Sequence, residues 1–155
     1  MDLALLQRQL QNFSVAHYGK DAVVSQVETM PGHAGLSFGF RVDYQENGQQ
    51  RHESLVMRIP PKGVKQSGNT DVLRQVPLLN TLKRYGVPVA TVRWSGSDEQ
   101  WFEVPYMMVE RLPGRTFRFS DPDPSFDISR DKVAHRYRQI VHALTQTHRL
   151  NWQKD

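Results

Sequence analysis

The 155-residue chain is 38% hydrophobic and 23% charged, with a net charge of +4, which suits an ordinary globular protein with a real core. It has no cysteine, so disulfides, thiol nucleophiles and cysteine-bound zinc are excluded. No apolar run is long enough to cross a bilayer, and the acid Asp2 stands where a signal peptide needs a base, so a cytoplasmic location with no membrane partner is expected.

Leu3, Leu6, Leu10 and Phe13 recur at helical spacing and predict an amphipathic helix over 2–13. Val23 to Met30 reads as a strand, followed by the turn-rich Pro31-Gly32-His33-Ala34-Gly35. Phe38, Phe40, Val42 and Tyr44 then alternate with Gly39, Arg41 and Asp43, the period of a half-buried strand. Asn47-Gly48 is a tight-turn signal, and a third strand over 51–59 ends at Pro60-Pro61, which cannot donate to a ladder. Val72, Val76, Leu79 and Leu82 predict a second helix, stopped by Gly86 and Pro88. Pro77 falls inside it, so either the helix kinks there or its regular part begins near Val76.

Short strands are predicted over 89–94 and 102–110, with a polar turn over 95–100 between them. A connector rich in Asp and Pro leads to a last helix over 129–149, whose stripe is Val133, Tyr137, Ile140 and Leu144. Strands joined by tight turns favour an antiparallel sheet and an α+β fold.

Several segments carry a resemblance in this order. They are Gly35-Leu36-Ser37-Phe38, Leu55-Val56-Met57-Arg58-Ile59-Pro60-Pro61-Lys62-Gly63, Gly86-Val87-Pro88-Val89 with Trp94-Ser95-Gly96, and Tyr106-Met107-Met108-Val109-Glu110-Arg111-Leu112-Pro113-Gly114. His148-Arg149-Leu150-Asn151-Trp152 adds a fifth. Together they resemble the aminoglycoside phosphotransferase family, whose fold is protein-kinase-like, from Val27 onward. The resemblance implies a kinase-like small lobe with its hinge over 1–114, built on a five-stranded antiparallel sheet with one packed helix and an amino-terminal helix. Residues 115–155 would be a connector and the carboxy-terminal helix that begins the second lobe.

The resemblance also implies a nucleotide, ATP or GTP with magnesium, and a small hydroxylated acceptor. Gly35 and Ser37 would cover its phosphates, and Val42 and Val56 would face its base. Arg58 takes the place of the strand lysine that holds the α and β phosphates. It shares strand parity with Val56, so both face one side. Gln75 stands in the register of the glutamate that pairs with that base. Val109 would shape the pocket rim, while the Glu110 carbonyl and Leu112 amide would meet adenine. The aspartate loop and magnesium ligands of such chemistry are not found in these 155 residues, so this chain alone is expected to be inactive. Its last helix would then lack its cover, which favours a partner or self-association, as a homodimer or by aggregation.

Two other readings compete. Gln75 and Pro77 would suit a non-catalytic interaction module that kept the fold. Arg111, Arg115 and Arg118 with Phe117 and Phe119 would suit a nucleic-acid binder, although no nucleic-acid partner is expected. No pair of histidines has metal-ligand spacing, so no intrinsic metal is expected, and His148 is expected to pack.

Overall fold

In the computed structural model the described residues are 2–31, 35–61, 63–64, 67–114, 116–118, 120 and 123–151. Helix α1 (Leu3–Tyr18) starts on Asp2, whose carboxylate accepts from the Ala4 amide at 2.9 Å, and ends at Gly19 with φ of 107°. It outruns the predicted end at Phe13. The leucine row stops there, but Ser14 is itself fully buried and the backbone continues to Tyr18.

Strands β1 (Val23–Met30), β2 (Leu36–Glu46) and β3 (Gln49–Ile59) form an antiparallel meander. The predicted turn is present, with φ of 52° at Asn47 and 76° at Gly48, values that Gly and Asn tolerate best. Helix α2 (Gln75–Arg84), strand β4 (Val92–Gly96), helix α3 (Glu99–Phe102), strand β5 (Tyr106–Glu110) and helix α4 (Arg130–His148) follow. The sheet has five strands in the order β1-β2-β3-β5-β4, every pair antiparallel, so the α+β expectation holds.

One local expectation is corrected. The polar turn over 95–100 contains the start of α3, capped by Asp98, whose carboxylate accepts from the Gln100 amide at 2.9 Å. The strand expected from Phe102 therefore begins at Tyr106, and Phe102 joins the core from a helix. Of the two alternatives at Pro77, the helix that begins near Val76 is the one found, since α2 starts at Gln75. Pro77 is the third residue of α2, within the first turn, where amides have no intrahelical acceptor. The carbonyl of Leu73, which a mid-helix proline would strike, precedes α2 and accepts from the Val76 amide at 3.1 Å.

Alternation along the strands gives the sheet two unlike faces. On the first, Phe38, Phe40, Val42, Leu55, Met57, Ile59, Tyr106 and Met108 are buried with Leu6, Leu10 and Phe13 of α1 and Phe102 of α3. Each large side chain so buried contributes roughly 1.5–3 kcal/mol. On the second, Met107 and Val109 form a smaller core with Val72, packed by Val56, Leu73, Val76, Leu79 and Val92. Thus α2 and its lead-in pack the face that α1 leaves open.

The chain divides into two compact units, Met1–Asn80 with Ala90–Arg111, and Thr81–Val89 with Leu112–Asp155. The division falls after Arg111, where the sequence reading put it after Gly114, and it gives 81–89 to the second unit. In that unit Gly86, at φ of 76°, caps α2 as predicted: its amide donates to the Lys83 carbonyl and the Val87 amide to that of Leu82, both at 3.0 Å. Phe117 meets Phe126 edge-on at 5.1 Å, and the Arg136 guanidinium lies 4.4 Å from the Phe117 ring centre. On α4, Val133 is half-buried while Tyr137, Ile140, Val141 and Leu144 are exposed, and His148 is exposed rather than packed.

Candidate functional site

Register decides which predicted residues meet. Ser37 of β2 pairs with Arg58 of β3, and Arg58 with Met107 of β5. One step along, Gly39 pairs with Val56 and Val56 with Val109. Directly paired residues project to the same side, so Ser37, Val56, Arg58 and Val109 share the second face. Arg58 and Val109 therefore lie on one face of the sheet.

Gln75 joins them. The Arg58 Nη1 donates to Gln75 Oε1 at 2.6 Å, a part-buried bond between strand and helix. Gln75 is the first residue of α2, a cap-region position. Its side chain projects from the helix start onto the second face and reaches the guanidinium. The acceptor is neutral, so it orients the fork of Arg58 without the strength of a bidentate carboxylate pair.

Val42 is a correction. It pairs with Val24 and Glu53, is fully buried, and belongs to the α1-side core with Phe38 and Phe40. Its parity is opposite to that of Ser37, so it cannot face a base lying against Val56. The β2 residue opposite Val56 is Gly39.

The remaining predicted residues are Gly35, Glu110 and Leu112. Gly35 has φ of 98°, and a Cβ there would stand 3.0 Å from the Ile59 carbonyl oxygen, so glycine is required where β2 leaves β3. The companion Gly32, with His33 and Ala34, lies outside the described residues, as do Lys62, Asp121, Pro122 and Trp152. Glu110 is exposed at the end of β5. Its amide donates to the Thr91 carbonyl at 2.8 Å and its carboxylate accepts from Thr91 Oγ1 at 3.0 Å. Leu112 is exposed and opens the second unit.

Where β5 ends, β3 runs on, leaving a hollow of about 420 Å³ lined in part by His52, Glu53, Arg93, Glu110 and Arg111. Glu53 there is a hub that sequence reading missed. It accepts from Tyr18 Oη at 3.0 Å, from Tyr44 Oη at 3.3 Å and from Arg93 Nε at 3.0 Å, and pairs with Arg93 Nη2 as well. Trp94 Nε1 in turn donates to Tyr18 Oη at 2.8 Å. Burial first, then the Glu53 charge against the opposing Trp94 bond, push the Tyr18 phenol up to about 12. This network ties α1 to β2, β3 and β4.

Of the residues weighed for nucleic-acid binding, Arg111 is paired with Glu28 at 2.7 Å, and Phe117 is engaged by Phe126 and Arg136. Arg115 and Phe119 lie outside the described residues. Among the described residues no cluster of three His, Asp or Glu is placed to hold a metal ion, and no helix is long and apolar enough to cross a membrane.

The architecture is shared with a solved structure. A provisionally assigned aminoglycoside phosphotransferase from Ralstonia eutropha JMP134 matches 95% of the chain with a TM-score of 0.65 at 20% sequence identity. The chain spans 39% of that protein's length. At this identity the likeness establishes the fold, an α+β kinase-like small lobe with a following helix. No family profile and no curated protein matches the sequence.

Proposed function

We propose that this chain is the nucleotide-gripping part of a kinase-like phosphotransferase of the aminoglycoside phosphotransferase type. Phosphates lie against Arg58, and the base lies against Val56 and Val109. The observation that carries this reading is the Arg58–Gln75 bond on the face that holds those two valines. Phosphoryl transfer asks a protein mainly to position the nucleotide and neutralise spreading charge. Arg58 is a permanent, planar charge of the kind that matches phosphate oxygens, and Gln75 fixes its direction. Ser37, its partner on β2, offers a hydroxyl beside it. The Glu110 carbonyl and Leu112 amide are the main-chain groups for the base edge.

The nucleotide is ATP or GTP with magnesium, and the acceptor is a small hydroxylated molecule. Magnesium would neutralise phosphate charge when bound. No ligand for it is assigned to this chain. Its sequence contains no His-x-Asp loop, so the 155 residues by themselves are expected to bind nucleotide without transferring phosphate.

Calorimetric titration of ATP and of GTP, each with magnesium, into the wild type and Arg58→Met tests this. Saturable binding by the wild type, weakened at least about tenfold in the variant, is expected for a lost bond to a charged group. Equal affinity of the two proteins would refute the site. Absence of binding in both would favour the alternative, a non-catalytic interaction module. The neutral Gln75 in place of a glutamate is what motivates that second reading.

A further inference from the structure

A row of paired residues crosses the second sheet face: Glu28 of β1, Gly39 of β2, Val56 of β3 and Val109 of β5. Two residues beyond Val109, the side chain of Arg111 turns back along this row. Its Nη1 donates to Glu28 Oε1 at 2.7 Å. It crosses the row above Gly39, where a Cβ would stand 3.0 Å from Arg111 Nη1, 3.2 Å from Met30 Sδ and 3.4 Å from Glu28 Cγ. The glycine leaves the guanidinium close to the sheet, since a side chain at 39 would require the ends of Arg111 and Met30 to give by a few tenths of an ångström. The ion pair thus lies across the strand beside Val56, over the surface assigned above to the base.

We propose that the Arg111–Glu28 pair is a displaceable cover on the base-binding face, which a nucleotide must open before its base can lie against Val56. The proposal rests on the nucleotide reading. Both side chains are well exposed, at 38% and 53%, so the pair is weak and screened by salt, as a cover that opens must be. Opening also frees a guanidinium beside the base, and a planar cation stacks well on a flat π system. Glu28 therefore holds Arg111 in competition with the ligand.

A neutral probe separates this from phosphate electrostatics. Binding of adenosine, and separately of ATP with magnesium, is measured for the wild type, Glu28→Gln and Arg111→Met across a potassium chloride series. The expected result is that Glu28→Gln binds adenosine about two- to fivefold more tightly than the wild type at low salt, the range that an exposed ion pair is worth. Wild-type affinity for adenosine should rise with salt, while both variants stay flat. If ATP binds but both variants match the wild type for adenosine, with the same salt response, the cover is overturned and the nucleotide reading survives. If neither adenosine nor ATP binds any of the three proteins, the nucleotide reading falls and the cover falls with it.

Discussion

Gln75 shows how much a single amide does at this site. It accepts from the Arg58 guanidinium at 2.6 Å and so helps to set its direction. Gln75→Ala should cost about 1 kcal/mol in unfolding free energy and several-fold in ATP affinity, whereas Gln75→Glu should preserve both. Urea melts and calorimetry on the two variants check this.

Glu53 is the corresponding residue on the structural side. Glu53→Ala strands two tyrosine hydroxyls and Arg93, so a loss of about 2–3 kcal/mol is expected by chemical denaturation. The same network sets an alkaline limit. Tyr18 titrates at about 12 in the folded chain against an ordinary 10.0, so the unfolded chain releases that proton first. Its contribution to stability is complete below pH 10 and is lost as the pH rises towards 12. Tyr18→Phe should flatten that decline, in part only, because Tyr44 and Tyr106 are also raised.

At the level of elements, what the sequence revealed depended on how local the signal was. The meander was readable because Asn47-Gly48 dictates a turn and because β2 alternates large apolar with small or charged residues. Helix α3 was not, since one turn leaves no periodicity, only the cap at Asp98. Val42 is instructive. The alternation that reveals β2 already places Val42 in one row with Phe38 and Phe40, and the resemblance took it for the opposite row. The Arg111–Glu28 contact joins residues 83 positions apart, and no pattern along the chain announces it.

Proline in α2 gives the element-scale prediction. Because Pro77 sits where no helical amide is needed, Pro77→Ala should alter unfolding free energy by less than about 0.5 kcal/mol. Leu79→Pro, past the first turn, should cost about 3 kcal/mol or more. Near-equal effects in a denaturation series would show that α2 begins earlier than Gln75.

At the scale of the whole molecule, motifs spread from Val27 to Trp152 made the architecture legible where no single segment would have. They could not place the boundary between units, which depends on which residues cluster and not on which residues recur. The last helix carries Tyr137, Ile140, Val141 and Leu144 all exposed, more than a lone apolar side chain would explain. Self-association at high concentration is therefore expected in sedimentation velocity, and Ile140→Glu with Leu144→Glu should shift it towards monomer. A wild type that stays monomeric throughout would refute this.

The third strand ends up written in two interleaved texts. Leu55, Met57 and Ile59 spell the core, while Val56 and Arg58 spell the proposed site. Substitutions in one text can accumulate without garbling the other. A single codon gained or lost within the strand would transpose the two, turning the cation into the hydrophobic interior and the interior residues out to the opposite face. Point changes should thus be tolerated here far more readily than any change in strand length.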